Sequence, residues 1–202
     1  MGGGVLYFSQ VCGGTVNKPS LELICEMPKF KIELEAFVRT LGYEICSHAQ
    51  IMVLVDARMG TALRFLEIHG KTKSTLVITD NTCPVYHQCL EGFNPEGLAF
   101  NSNGAGQIIE AVAALQDKKI FNNLPKARIK FSPRDLKIAQ HLARGLSNKK
   151  IGQVLGLSEA TVDTYVKEVL EKARLISANG VIENRTQFAL WFWGQDHVLD
   201  TL

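Results

Sequence analysis

Hydrophobic and polar positions fall into two patterns along this chain. In the first half, short apolar runs bounded by polar residues recur: Ile51-Met52-Val53-Leu54-Val55, Thr75-Leu76-Val77-Ile78-Thr79 and the shorter Gly97-Leu98-Ala99-Phe100. Consecutive apolar positions of that length predict strands buried on both faces, as in a parallel sheet. Residues 61–69 and 105–115 carry helical spacing between or after those runs, so the segment reads as a βαβ series and an α/β domain. From residue 131 onward the apolar positions recur at helical spacing only, which predicts an all-α segment.

The helical segment also carries its start and stop signals. Ser132-Pro133-Arg134-Asp135 joins an N-cap, a proline at the first helical position and an acid able to close a capping box. That helix should bury Ile138, Ala139, Leu142 and Ala143 and stop at Gly145. A second helix opens at Ser147 with Ile151, Val154 and Leu155 inward. After the turn Gly156-Leu157 a third opens at Ser158, burying Val162, Val166, Val169 and Leu170. Three short helices joined this way predict a helix-turn-helix. Its third helix would present Ala160, Asp163, Thr164, Lys167 and Glu171 to a DNA major groove.

In this register SPRDLKIAQHLARGLSNKKIGQVLGLSEATVDTYVKEVL followed by NRTQFALW resembles the LuxR/NarL-type (GerE-like) four-helix DNA-binding domain. The resemblance covers about the last third of the chain and implies DNA contact through Lys149, Lys150, Thr161, Asp163, Thr164 and Lys167. Asp163 departs from the family, which usually has a DNA-contacting lysine there. An acid at a groove-facing position costs affinity unless it accepts from a cytosine amino group. Lys167 matches a family contact lysine, Lys150 stands where the family commonly has an acid, and ISANGVIE lengthens the connection to the last helix. In that family the last helix mediates pairing. This implies a homodimer with Trp191 or Trp193 of the terminal aromatic cluster in the contact, and paired half-sites on double-stranded promoter DNA.

Charge divides the chain as the patterns do. Residues 1–118 hold 9 Lys and Arg against 12 Asp and Glu, while residues 119–202 hold 13 against 8, so an overall charge of +2 separates into −3 and +5. The attraction for nucleic acid lies in the second part. We read residues 1–118 as the α/β domain, 119–130 as a solvated linker marked by Asn122-Asn123 and Pro125, and 131–202 as the DNA-binding domain.

Beside such a partner the α/β part resembles a response-regulator receiver. VLVDARMG places Asp56 at the phosphoacceptor position, with Gly60 where a proline is usual, and TLVITDN places Thr79 at the switch hydroxyl. Further on, Asn101 aligns with the phosphate-pairing lysine and Leu98 with a switch aromatic. Two first strands are open. Leu23 to Glu26 supplies one acid, Glu26, but leaves few residues before Asp56; Val5 to Ser9 fits the distance and supplies no acid. Aspartyl phosphorylation needs an ionised nucleophile, Mg²⁺ and a cation. Only the first is evident, so the resemblance implies a pseudo-receiver. Asp56 and Thr79 also have plain readings, as a carboxylate hydrogen-bonded to nearby amides and as a cap of the next turn.

Five cysteines, Cys12, Cys25, Cys46, Cys83 and Cys89, show no C-x-x-C spacing, and five histidines show no ligand spacing, so no metal and no cofactor is expected. Nucleophile elbow, Walker loop and dinucleotide fingerprint are missing, which argues against an enzyme. No apolar run reaches membrane-span length and the first residues do not read as a signal peptide, so a cytoplasmic protein is expected. The reading is a sequence-specific transcription regulator with a phosphorylation-independent receiver-like domain. Two alternatives are an ordinary regulator phosphorylated on Asp56, and an interaction module that sequesters another regulatory protein without binding DNA.

Overall fold

The computed structural model describes residues 18–56, 60–101, 105–177 and 182–195. Its first half is a parallel sheet covered by helices on both faces. The elements are β1 (Leu21–Cys25), α1 (Pro28–Thr40), β2 (Ile51–Asp56), α2 (Thr61–His69), β3 (Ser74–Thr79), α3 (Pro84–Glu91), β4 (Gly97–Phe100), α4 (Ala105–Gln116) and β5 (Phe121–Asn122), and the sheet order is β1-β2-β3-β4-β5. Alternate strand residues serve two cores. Leu23, Val53, Val55, Leu76 and Ile78 pack with Leu34 and Val38 of α1 and Ala111 and Val112 of α4; Met52, Leu54, Val77 and Leu98 pack with Leu63 and Leu66 of α2 and Val85, Tyr86 and Leu90 of α3. This two-sided burial is why β2 and β3 read as unbroken apolar runs.

The first strand is Leu21–Cys25, while Val5 to Ser9 lies outside the described residues. The shortage of residues before Asp56 has a simple cause: the return from α1 to β2 contains no helix. Residues 41–50 make a single parallel bridge, Leu21↔Ile45, outside β1 and cross directly back to β2. The chain thus reverses its direction of growth between β1 and β2. In open α/β sheets the crevice at the strands' carboxyl ends beside such a reversal is where functional groups collect. Glu26 and Asp56 both lie there.

One expectation is corrected. Residues 119–130 are not wholly linker, because Phe121–Asn122 pairs in parallel with β4 and Leu124 is buried. Helix α3 was not foreseen; Pro84 starts it after Cys83.

The second half contains α5 (Pro133–Ala143), α6 (Asn148–Leu155), α7 (Glu159–Ile176) and α8 (Arg185–Phe192). Ser132 and Asp135 close a full capping box on α5, and Ser147 and Ser158 cap α6 and α7 by accepting from Lys150 N and Thr161 N. Asn184 and Gln187 form a second capping box on α8. The tight α6–α7 turn requires Gly152, since a Cβ there would lie 2.6 Å from the Leu157 carbonyl oxygen. Ile151, Val162, Val166 and Val169 are buried as expected, but Val154 is 52% exposed. Eight-residue α6 buries only its Ile151–Gly152 edge, so the next apolar position turns outward.

Candidate nucleic-acid interface and buried carboxylate centre

Helix α7 packs on α5, α6 and α8 and leaves its other face to solvent. Ala160, Thr164, Lys167 and Glu171 are exposed along it, Thr161 and Asp163 are half-buried, and Lys149 and Lys150 are exposed in the first turn of α6. Asp163 is not an isolated acid. Its Oδ2 lies 2.8 Å from Lys167 Nζ one turn on, and its Oδ1 accepts from Asn148 Nδ2 at 3.3 Å. Asn148 Oδ1 in turn accepts from Arg185 Nη2, which also donates to the Leu146 carbonyl at 2.8 Å. The Asp163 carboxylate raises the Lys167 ammonium above its ordinary value and points it along the helix. The face therefore offers a directed cation and hydroxyls at a helix surface of the kind that reads base edges.

Asp56 sits at the end of β2 and is 5% exposed. Its Oδ1 accepts from Ala62 N at 3.1 Å, and its Oδ2 accepts from Thr79 Oγ1 at 2.9 Å and Tyr86 Oη at 2.6 Å. Burial lifts the carboxyl above the usual carboxylate range despite these three bonds. Burial first, then the adjacent Asp56 charge, pushes the Tyr86 hydroxyl well above its ordinary value. Thr79 Oγ1 also accepts from Asn81 N at 3.1 Å, so it bridges the carboxylate and the following turn. Glu26 accepts from Thr61 Oγ1 at 3.0 Å and lies 3.5 Å from Arg64. Among the described residues no cluster of His, Cys, Asp or Glu is placed to hold a metal ion.

Trp191 and Trp193 do not stand free. Trp191 is buried against Phe188, with ring centroids 6.0 Å apart. Trp193 lies over Gly60, where a Cβ would fall 2.1 Å from its ring, and its Nε1 donates to the Ala143 carbonyl at 2.9 Å. The left-handed φ of +75° at Gly60 favours glycine independently. Both tryptophans are thus engaged within one chain. Of the cysteines, Cys83 and Cys89 are buried, and burial pushes the Cys89 thiol up to about 12; Cys12 lies outside the described residues.

Residues 130–183 match the luxR family of bacterial regulatory proteins. This segment is a luxR-family domain. It comprises the capped helices α5 to α7 and the connection after them. A probable transcriptional regulator, ycf29 of Pyropia yezoensis, is 30% identical over 112 residues, 55% of this chain and 50% of that protein. The chain thus spans about half the length of that curated relative. The whole chain also resembles solved structures. The two-component response regulator RcsB in complex with DNA superposes with a TM-score of 0.54 at 18% identity over 87% of this chain and 98% of that one. RcsB of Salmonella enterica serovar Typhimurium, bound to a promoter in the presence of a phosphomimetic, gives 0.58 at 14% identity over 86% and 98%. At such identities the likeness is one of fold: a receiver-like sheet domain followed by the luxR-family domain. No described helix is long and apolar enough to cross a membrane.

The sequence pointed to Asp56 and Thr79 but not to Tyr86 or Asn81. Tyr86 lies on unforeseen α3, and the partner of Asn81 Nδ2, the Phe192 carbonyl at 3.0 Å, is 111 residues away. Only Gly60 carried a local signal, since it departs from the family's proline.

Proposed function

We propose that this chain is a sequence-specific DNA-binding transcription regulator whose α7 enters the major groove, and whose receiver-like domain acts without phosphate on Asp56. The observation that supports the first part is that Thr164, Lys167, Lys149 and Lys150 remain exposed with the rest of the chain in place. The luxR-family assignment of this segment and the DNA complexes solved for RcsB agree with it. Lys167 and Thr164 would meet base edges or phosphates, Thr161 and the two α6 lysines the backbone, and Asp163 would steer Lys167. Two copies on paired half-sites fit helix-turn-helix geometry.

The second part rests on the carboxylate centre. Both oxygens of Asp56 are engaged by protein donors, and the Arg64 guanidinium of α2 is directed at Glu26. An incoming phosphoryl group would have to displace the Tyr86 and Thr79 hydroxyls, and among the described residues no cluster of His, Cys, Asp or Glu is placed to hold a metal that would receive its oxygens. Selection of bound sequences from random duplexes by the full chain, followed by titration with and without acetyl phosphate and Mg²⁺, tests both parts. A consensus site whose affinity ignores the phosphoryl donor is expected. No enriched sequence would end the regulator reading; a phosphoaspartate at Asp56 with tighter binding would end phosphate independence.

A further inference from the structure

The two halves share a hydrophobic core. One continuous buried cluster runs from Met52, Leu63, Leu66, Tyr86 and Leu90 of the receiver-like part to Ile138, Leu142, Phe188 and Phe192 of the helical part. Domains joined only by a tether meet through smaller, more polar surfaces and move relative to one another, whereas a large apolar junction holds them in one arrangement. Here the junction is built for contact. Gly60 has no side chain where the Trp193 ring lies, and the Tyr86 ring meets Phe192 and Trp193 edge-on at centroid distances of 5.6 and 6.1 Å.

Polar groups fix its register. Asn81 Nδ2 donates to the Phe192 carbonyl, near the C-terminal end of α8 where helical carbonyls need partners, while Asn81 Oδ1 accepts from Cys83 N at 2.7 Å. Gln88 of α3 donates to the Ile129 carbonyl at 3.0 Å and accepts from Phe131 N at 2.8 Å, so it binds the connecting segment through both ends of its amide. At the rim Arg144 pairs with Glu67 of α2.

The junction and the recognition face use different surfaces of the helical part. The receiver-like part reaches α5 and the end of α8; α7 packs on α5, α6 and α8, and its outer face is solvent-exposed in the intact chain. Closure of the halves hides nothing that the proposed DNA reading needs.

We infer that the receiver-like half is a permanent structural support of the DNA-binding helices, and that the closed chain is the form that reads DNA. Its DNA clause rests on the proposed function; its structural clause does not. In this arrangement the Asp56-Thr79-Tyr86 centre anchors α3 from beneath, and α3 seats α8. No domain separation precedes binding.

The test uses the full chain. Differential scanning calorimetry should show one transition in which both halves unfold together, and two separated transitions would overturn the support. The wedge variant Gly60→Ala forces Trp193 from its seat, and the rim variant Glu67→Arg repels Arg144 without touching the core. Each is titrated by fluorescence anisotropy against the selected site, beside the charge-swapped pair Glu67→Arg with Arg144→Glu. Several-fold weaker binding is expected for the loosened variants, with recovery in the swap, and unchanged binding in both loosened variants would overturn the DNA clause. Binding tightened ten-fold or more in either would make the junction a brake and overturn the inference. If the unaltered chain enriches no DNA sequence, the regulator reading falls with the DNA clause, and the calorimetric result still decides the structural clause.

Discussion

Tyr86 donates its hydroxyl to Asp56 Oδ2 across 2.6 Å while the edge of its ring packs against Phe192 of α8. One side chain thus joins the carboxylate at the sheet's carboxyl end to the helix that follows the luxR-family segment. Tyr86→Phe keeps the ring and removes the bond. A hydrogen bond to a charged group contributes about 1.5–3 kcal/mol. The variant is expected to lose about that much in urea unfolding of the full chain, with no change in the denaturant dependence. An unchanged midpoint would mean that the bond does not hold the junction.

The Asp56 carboxyl is raised above its ordinary value by burial. The sign follows from linkage: a group whose pKa is higher in the folded state favours folding fully below its unfolded value and loses that contribution as pH rises through the folded one. At neutral pH ionised Asp56 is therefore a cost to the fold. Asp56→Asn should melt higher than the unaltered chain at pH 7, and the gap should narrow as the buffer is taken toward pH 4. A gap that widens on acidification would contradict the buried-carboxylate account.

Asp135 behaves in the opposite sense. Burial alone would raise it, but Lys172 at 2.6 Å and the Ser132 capping box outweigh burial and hold it below the usual range. Its stabilisation is present above the unfolded carboxylate pKa and lost as pH falls through the depressed value. Asp135→Ala removes the box and leaves Lys172 without its partner, and is expected to cost about 3 kcal/mol at pH 7. The loss should shrink in acid, read by thermal melts across the pH series.

On the recognition face, Lys167→Ala should weaken binding to the selected site roughly ten-fold. Asp163→Asn frees the Lys167 ammonium from its 2.8 Å partner and removes a charge that repels phosphate. Binding to unrelated duplexes should tighten, discrimination should shrink, and the log affinity against log salt should steepen by about 0.9 for each phosphate newly contacted. Weaker binding to the selected site, with unrelated duplexes unchanged, would instead make Asp163 a base contact.

Trp193→Ala removes a ring seated on Gly60 and a donor to the Ala143 carbonyl. A loss of about 3 kcal/mol is expected. Sedimentation of the folded variant decides the pairing role: an oligomeric state equal to that of the unaltered chain assigns this tryptophan to the junction, and a loss of dimer at unchanged stability assigns it to pairing between copies.

What could be read in advance was local. Ser132 with Asp135, Ser147 and Ser158 mark helix starts because caps act within three residues, and Ile138, Leu142 and Val162 show their burial through helical spacing. Strands β2 and β3 announced themselves because both their faces are covered. Val154 misled because α6 is too short to bury a full apolar stripe. β1 was ambiguous because the connection after α1 lacks the helix that the receiver pattern leads one to look for. β5 has only two residues, one of them Asn122, which is too little for any periodicity. Tyr86, Asn81 and Trp193 were illegible as a site because their meeting is set by the docking of two distant segments.

The seat of α8 also has a consequence for how the molecule comes into being. Asn81 and Phe192 are separated by 111 residues, and α8 leaves the ribosome after every other described element. Until it arrives, the Tyr86 ring lacks its Phe192 and Trp193 neighbours and α5 lacks one of the helices that pack on it. Closing so distant a contact is slow relative to forming hairpins or single helices. A nascent chain therefore passes through a stage with its central core open to water and to other chains, and chaperone engagement should peak just before α8 emerges.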